Sequence, residues 1–274
     1  MKILKKVWLL YFVLTCCAVL SACGASGSSG EEKKELVLGA TVPYSDMLEQ
    51  GVAPLLEEKG YKVEVKEFND YVQPNIALDS GDLDGNLFQH KVYLENFNTE
   101  KGMDLVDIIS VPTAPIGIYS EKFSSLEEVK DGSTMAIAND PTNLARGLTV
   151  ARDAGLIELK EEINPVNATV NDVLSNPKKL KFHEVDAAQL PRSLESVDLA
   201  AVNGNFAVAA GLDLTTAIYR DQIPEEIQNR IVVRKEDKDS QMAKDIIEAI
   251  ESEEFAKVIE ENFKGFHQPK WMGE

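Results

Sequence analysis

Short apolar runs alternate with amphipathic stretches along most of the chain. Residues 36–40 form a continuous apolar run that is typical of a buried strand. Residues 46–59 place apolar side chains three and four positions apart, as in a helix, and residues 61–65 alternate apolar and charged positions, as in a strand. This order of strand, helix and strand predicts a parallel pair joined by a right-handed crossover.

The alternation continues to the end of the chain and predicts an α/β fold with parallel sheets. Further strands are predicted at residues 83–88, 105–111, 116–119, 134–138, 166–170, 182–185, 199–202 and 231–234. Further helices are predicted at residues 74–81, 90–101, 124–129, 139–154, 187–196, 206–210 and 241–263, with a helical turn at 172–175. The last helix is expected to break near Ser252. Periodicity alone does not distinguish one sheet from two.

The N-terminus has the pattern of an export signal. Three lysines precede an apolar run at residues 7–20, which is short of the about 20 residues that a membrane-spanning helix needs. The run ends in Leu20-Ser21-Ala22-Cys23, an order that resembles a bacterial lipoprotein signal. We therefore expect residues 1–22 to be a cleaved signal peptide, Cys23 to be the lipidated first residue, and residues 23–35 to be a flexible tether. An ordinary signal peptide with a chance cysteine is the alternative.

The acidity of the chain limits its partners. The net charge is −18, and the residues after the leader carry −21 because residues 1–22 contain three lysines and no acid. So negative a surface repels phosphate backbones and anionic headgroups, which excludes nucleic acid and adhesion through a basic patch. We expect contact with the membrane through the lipid anchor only, on the extracytoplasmic face of the cell membrane.

Motifs for catalysis are missing from the sequence. Cys16 and Cys17 would leave with the signal peptide, so the folded part would contain no thiol for disulfides, catalysis or zinc. The three histidines are far apart, and no G-x-S-x-G, H-E-x-x-H or P-loop motif occurs. The sequence therefore predicts no metal site, no cofactor and no enzyme activity, with an extracytoplasmic enzyme or an adhesive lipoprotein as the remote alternatives.

A candidate carboxylate site follows the predicted strand at 134–138. Asp140 is a typical helix cap and Pro141 suits the first helical position, so a helix would begin at the carboxyl end of this strand. Asn143 and Arg146 are three apart and share one helix face. A helix N-terminus offers free N–H groups and a positive dipole to a carboxylate, and an arginine there could bind the carboxylate with two parallel hydrogen bonds. By spacing alone, a solvated surface arginine is the alternative.

Four ring-bearing residues are candidates for the wall of an apolar pocket. Phe88 and His90 share a side if their segment is extended, and His90 and Tyr93 share one if a helix has begun. Tyr71, from the segment before the predicted helix at 74–81, can complete the wall. Core aromatics with a surface histidine are the alternative interpretation.

A third candidate segment, Asn203-Gly204-Asn205, follows the predicted strand at 199–202. It would lie at the carboxyl end of a strand, where open α/β sheets bind ligands. An asparagine side chain can accept a hydrogen bond from an ammonium group and donate one to a carboxylate. The alternative is a tight turn in which Asn205 caps the next helix.

Together with the leader, these segments resemble the methionine-binding (NlpA-type) lipoproteins of ABC importers. The most specific matching pieces are Phe68-Asn69-Asp70-Tyr71-Val72-Gln73-Pro74-Asn75, Phe88-Gln89-His90, Pro115-Ile116-Gly117-Ile118-Tyr119-Ser120, Asn139-Asp140-Pro141-Thr142-Asn143 through Arg146, and Val202-Asn203-Gly204-Asn205-Phe206-Ala207. The resemblance implies a two-lobed, periplasmic-binding-protein-like (type II) α/β fold with two crossover segments. One lobe would comprise residues 36–114 plus 230–274, and the other residues 115–229.

The resemblance also implies roles for single residues. Arg146 would pair with the ligand carboxylate, and three asparagines would hold the amino and carboxylate groups: Asn203, Asn143 and Asn229. The rings of Tyr71, Phe88, His90 and Tyr93 would enclose the thioether tail. The implied partners are methionine, an ABC importer permease and the ATPase of that importer.

Two positions depart from the family pattern. Val92 stands where a proline is common, and residues 225–230 differ from the usual approach to the strand, which makes Asn229 the weakest assignment. Either departure could adapt the pocket to another apolar amino acid or to a methionine-containing dipeptide.

Overall fold

The computed structural model describes residues 34–161 and 167–273. The predicted signal peptide at 1–22 and the predicted lipidation site Cys23 lie outside the described residues. The first strand begins at Lys34, just inside the expected tether. None of the helices within the described ranges is both long and apolar enough to cross a membrane.

Twelve strands occur in the described part of the chain, and ten of them form two five-stranded sheets. They are β1 Lys34–Thr41, β2 Tyr61–Phe68, β3 Gly85–His90, β4 Val106–Ser110, β5 Gly117–Tyr119, β6 Thr134–Ala138, β7 Glu158–Leu159, β8 Val173–Ser175, β9 Lys181–Val185, β10 Leu199–Val202, β11 Tyr219–Arg220 and β12 Asn229–Val233. The first sheet has the order β2-β1-β3-β12-β4 and the second β11-β5-β10-β6-β9. The strands β7 and β8 form a small antiparallel pair.

Both large sheets are mixed, which corrects the prediction of parallel sheets. The one parallel pair that was predicted, β1 with β2, is present. In addition, β1 pairs in parallel with β3, and β6 with β9 and β10. Against these, β12 runs antiparallel to β3 and β4, and β5 runs antiparallel to β10 and β11. The strand β12 starts beside the end of β4, where Arg230 pairs with Ser110, so these two strands run in opposite directions.

The helices agree with the predicted periods, with one interruption. They are α1 Tyr44–Met47, α2 Ala53–Glu58, α3 Gln73–Asp79, α4 Lys91–Lys101, α5 Pro141–Asp153, α6 Leu190–Ser193, α7 Gly204–Ala209, α8 Gln241–Ile250 and α9 Glu253–Asn262. A π turn, Leu48–Val52, separates α1 from α2. It lies just before Pro54, which has no N–H for the helical ladder. Ser252 caps α9, so the expected break near it is confirmed.

Two local predictions are wrong or only partly right. Residues 170–175 reverse the expected order, because a 3-10 turn at Val170–Asp172 comes before the strand β8. Thr169 and Asp172 form a capping box that favours the turn at this point. The segment predicted as helix at 187–196 begins as a 3-10 turn and contains α6 only from Leu190 to Ser193.

Each sheet is covered by apolar cores. On the first sheet, α1, α2, α8 and α9 bury a cluster that includes Leu38, Met47 and Phe255. The second sheet is buried on both faces, since Ile137 belongs to one core and Ala138 to another. Alternate residues of a strand point to opposite faces, and this explains why residues 134–138 are apolar throughout.

The chain passes between the sheets in two segments. Residues 111–116 connect β4 to β5, and residues 221–228 connect β11 back to β12. Thr113 in the first connection also forms a β-bridge with His267 near the C-terminus. The exact lobe boundaries stay a prediction, but this arrangement places a cavity between the two sheets.

Candidate functional site

A small cavity lies between the two sheets, beside the 111–116 connection. All eight residues predicted to form a binding site line it, namely Tyr71, Phe88, His90, Tyr93, Asn143, Arg146, Asn203 and Asn229. Five residues not predicted to contact a ligand complete the wall: Tyr44, Gln89, Ala114, Gly204 and Asn205. Segments up to 185 positions apart in the sequence therefore converge here, from Tyr44 to Asn229.

The helix α5 carries two of the polar side chains into the cavity. Asp140 caps this helix, as predicted, and accepts hydrogen bonds from the backbone N–H and the side-chain Nδ2 of Asn143, both at 3.0 Å. Pro141 occupies the first turn, where its missing N–H costs nothing. Asn143 and Arg146 lie one turn apart and are 3% and 9% exposed, which rules out a solvated surface arginine.

Arg146 is paired inside the protein with Asp221. Its Nε donates to Oδ2 of Asp221 at 2.8 Å, and its Nη2 lies 2.7 Å from the same oxygen. The second contact is an ion pair without hydrogen-bond geometry, so Nη2 is buried with no hydrogen-bond partner in the described chain. Asp221 was not identified from the sequence, because a pairing across 75 residues leaves no local signal.

Asn203 reaches the cavity from the end of β10, at the N-cap position of α7. Its Nδ2 donates to Oδ1 of Asn143 at 2.8 Å, while its own Oδ1 is buried and has no partner among the described residues. The next residue, Gly204, lies against the 111–116 connection so tightly that a Cβ would collide with Ala114 and with the carbonyl oxygen of Pro115. Asn205 lies inside α7 and does not occupy its N-cap position, and the side chain of Asn203 makes no capping hydrogen bond.

Aromatic rings form the apolar side of the cavity. Tyr71, Phe88 and Tyr93 pack with ring centroids 5.8 to 5.9 Å apart, and the ring of His90 lies 6.3 Å from that of Tyr93. The Tyr93 hydroxyl donates to the carbonyl oxygen of Tyr71 at 2.8 Å, which holds the two rings together. These four rings were predicted to share a pocket wall, and the structure brings them together.

Tyr71 also connects the two sides of the cavity. Its hydroxyl donates to Oδ1 of Asn205 at 2.5 Å, and its ring packs on Phe206 with centroids 4.9 Å apart. Asn205 donates in turn to Oγ1 of Thr41 at 3.3 Å. The start of α7 is thus hydrogen-bonded to two residues of the first-sheet side, Tyr71 and Thr41.

Asn229 lies at the start of β12 and is 5% exposed. Its Nδ2 donates to the carbonyl oxygen of Phe88 at 3.0 Å, and its backbone N–H donates to Oγ1 of Thr113 at 2.8 Å. The amide therefore holds the end of β3 against the connection. Because its Nδ2 is already bonded to Phe88, Asn229 lines the cavity and holds β3 in place.

The imidazole of His90 is neutral at pH 7. Burial lowers the pKa of His90 to about 3, and the positive charge of Arg146 acts in the same direction, whereas the nearby Asn143 amide opposes it. Nδ1 accepts a hydrogen bond from the backbone N–H of Tyr93 at 3.1 Å, so the ring proton is on Nε2. Nε2 is buried near the Asn143 side chain, but no contact there has the geometry of a full hydrogen bond in the described residues.

Three buried polar atoms of the cavity wall thus lack a hydrogen-bond partner within the described chain: Nη2 of Arg146, Nε2 of His90 and Oδ1 of Asn203. Two of these atoms are donors and one is an acceptor. Because buried polar groups are nearly always paired, this set is suited to a ligand that presents acceptors together with a donor. No group of three or more His, Cys, Asp or Glu side chains suited to a metal ion occurs in residues 34–161 and 167–273.

Two sheets enclosing a buried polar cavity define a two-lobed α/β protein of the periplasmic-binding type. The sequence matches the NlpA lipoprotein family over residues 36–271, and the chain belongs to this family. The family predicted from the sequence motifs is therefore confirmed.

Known proteins resemble the chain over most of its length. D-methionine-binding lipoprotein MetQ of Salmonella typhi is 36% identical over 260 residues, which cover 93% of this chain and 96% of that protein. Outer membrane lipoprotein 3 of Mannheimia haemolytica is 39% identical over 230 residues, which cover 84% of this chain and 87% of that protein.

A solved structure shares the fold. The nutrient binding protein from Burkholderia cenocepacia, whose structure was determined bound to methionine, is 43% identical with a TM-score of 0.80. The match covers 84% of this chain and 97% of that protein. The predicted periplasmic-binding-protein-like fold is confirmed by this similarity.

Replacing His90 should change how stability depends on pH. The pKa of this histidine rises from about 3 in the folded chain to its ordinary 6.5 on unfolding, so between pH 6 and 4 the unfolded state binds about one more proton. Each pH unit of acidification in this range therefore lowers the free energy of unfolding by ~1.4 kcal/mol through His90. The variant His90→Gln should lack this contribution to the slope. Urea unfolding at several pH values measures the two slopes.

The control is His183→Gln on β9, whose side chain is exposed in the folded protein as well and which should keep the wild-type slope. Equal slopes for wild type and His90→Gln would contradict a neutral, buried imidazole.

Proposed function

We propose that this chain is a lipid-anchored, extracytoplasmic solute-binding protein that captures methionine and delivers it to an ABC importer permease with its ATPase. The observation that supports this proposal is a set of three buried cavity atoms that make no hydrogen bond within the described chain: Nε2 of His90, Oδ1 of Asn203, and Nη2 of Arg146, which has only its ion pair with Asp221. A free α-amino acid presents one carboxylate, which accepts, and one ammonium group, which donates. Its polar end is complementary to the two donors and one acceptor of the wall.

The ligand carboxylate would bind Nη2 of Arg146 and Nε2 of His90. Hydrogen bonds to a charged group contribute about 1.5–3 kcal/mol, more than neutral ones, and the buried setting strengthens them. The ammonium group would donate to Oδ1 of Asn203, which is fixed because its Nδ2 is bonded to Asn143. Asn143 and Asn229 would act by holding other groups in place, since their amide nitrogens already have partners in the protein.

The side chain of the ligand would lie against the rings of Tyr71, Phe88, His90 and Tyr93. A thioether gains about 0.3–1.5 kcal/mol from each sulfur–aromatic contact, which favours methionine over an aliphatic side chain of similar length.

The proposed location depends on the N-terminus. Lipid chains on Cys23 would hold the protein at the outer face of the cell membrane, since two acyl chains are enough for stable anchoring. The strongly acidic surface would not bind anionic headgroups by itself. The polar atoms of the cavity serve binding in this proposal, and no residue is assigned a catalytic role.

The identity of the bound solute separates methionine from the runner-up ligands. Mild denaturation of the full chain purified in detergent should release methionine, detected by mass spectrometry in an amount close to that of the protein. Release of leucine, another apolar amino acid or a methionine-containing dipeptide would contradict the proposed specificity for methionine. The chain would then still be a solute-binding protein, but one with a different ligand. Protein refolded without ligand is the control for carry-over.

Removing Arg146 should weaken methionine binding. We expect Arg146→Gln to cost at least ~2 kcal/mol, roughly thirtyfold in affinity, because a charge-assisted contact with the carboxylate is lost. Isothermal titration calorimetry on the full chain in detergent measures this change. Arg152→Gln is the matched control, since it lies on the same helix but is paired on the surface with Asp153, and its affinity should stay within twofold. Indifference to Arg146→Gln, or no methionine binding at millimolar concentration, would refute the proposed site.

A further inference from the structure

Asp221 is fixed at the point where the chain leaves the second sheet. It follows β11 and opens the 221–228 connection, and its backbone N–H donates to the carbonyl oxygen of Ile116 at 3.0 Å. In return, the backbone N–H of Ile116 donates to Oδ1 of Asp221 at 2.8 Å. Two bonds to one residue of the other connection keep this carboxylate from swinging away, so its negative charge has a fixed position.

The other oxygen of Asp221 faces Arg146. Both Nε and Nη2 of the guanidinium lie within 2.8 Å of Oδ2, and the two side chains are 9% and 6% exposed. Among the described residues that line the cavity, Arg146 alone carries a permanent positive charge. Its charge is therefore already balanced by the protein before any carboxylate ligand arrives.

A second acid lies on the other side of Asn143. The oxygens of Asp140 accept hydrogen bonds from the Asn143 backbone and side chain and from Oγ1 of Thr142, and these bonds favour the carboxylate form against burial, which raises the pKa of Asp140. Burial also raises the pKa of Asp221, but the Arg146 guanidinium and the Ile116 N–H favour its charged form. With these contacts made and the imidazole of His90 neutral, the buried charges around the cavity are one cation, Arg146, and two anions, Asp140 and Asp221. A carboxylate ligand without a positive group would add a third negative charge to one positive charge.

We propose that Asp221 is a specificity-determining residue, which neutralises Arg146 so that the cavity accepts zwitterions and rejects carboxylates that lack an ammonium group. Specificity of this kind comes from an unfavourable interaction with the wrong ligand. The hydrogen bonds to Arg146 alone would not distinguish the two ligands, because both present the same carboxylate. The charge of Asp221 does distinguish them, because only the zwitterion brings a compensating positive charge into the same buried space.

The test compares two ligands on three proteins. The ligands are methionine and 4-(methylthio)butanoate, which keeps the carboxylate and the thioether but lacks the ammonium group. The proteins are the wild type, Asp221→Asn and Asp221→Glu, each as the full chain in detergent, with both affinities measured by calorimetry. The preference for methionine should fall at least tenfold in Asp221→Asn, and Asp221→Glu should keep the wild-type ratio even if both of its affinities decrease.

Asp198→Asn controls for structural damage to the second sheet. Asp198 accepts hydrogen bonds from the backbone N–H and the side-chain hydroxyl of Thr134, and it forms an ion pair with Lys122. None of these contacts involves Arg146. Its loss should lower the melting temperature without changing the ligand ratio. An unchanged ratio in Asp221→Asn, or equal changes in the Asn and Glu variants, would overturn the proposal. Asp221→Ser provides a second neutral variant if Asp221→Asn does not fold.

An acetate titration tests the same charge effect without methionine. Because Asp221→Asn leaves Arg146 without its counter-charge, acetate at constant ionic strength should raise the melting temperature of this variant, but not that of the wild type or Asp221→Glu. The inference rests on the proposed function only through the choice of methionine as a probe. If the wild type binds no methionine, the proposed function fails, but the acetate titration still tests the role of Asp221. An equal change of melting temperature in all three proteins would overturn that role.

Discussion

A guanidinium group removed from water requires a counter-charge, and the cavity between the two sheets is organised around that requirement. Arg146 is buried and pairs with Asp221, whose second oxygen is held by the backbone of Ile116. One carboxylate therefore ties the helix α5, the edge of the second sheet and both connections between the sheets to a single point. With Arg146 held there, its Nη2 remains in the cavity wall without a hydrogen-bond partner among the described residues.

The rest of the site follows from where strands end. The strands β6 and β10 run in parallel, so α5 and α7 start at the same edge of the second sheet and bring Asn143 and Asn203 within hydrogen-bonding distance. On the opposite side, β3 ends at His90, whose Nδ1 caps α4. The two sides meet through Tyr71 and Asn205. The polar end of a ligand would thus contact groups whose positions are set by helix starts, while the aromatic wall contacts its apolar part.

The sequence was informative where the signal is local. The Asp140 cap, the polar segment after β10 and the break at Ser252 are short patterns with direct physical causes, and the structure has all three. Pairings across long separations were missed, because the Asp221 contact and the 134-residue link from Tyr71 to Asn205 leave no periodic trace. The antiparallel strands escaped prediction for the same reason, since periodicity reports which face is buried but not strand direction. The family resemblance supplied the grouping of the eight cavity residues, which spacing alone left open.

In the proposed site, Nη2 of Arg146, Nε2 of His90 and Oδ1 of Asn203 together bind the polar end of a free amino acid. A crystal structure of the methionine complex would show these contacts. We expect the carboxylate within hydrogen-bonding distance of Arg146 and His90, the ammonium group on Asn203, and the thioether against the aromatic rings. A methionine bound with its carboxylate turned away from Arg146, or bound outside this cavity, would contradict the proposed site.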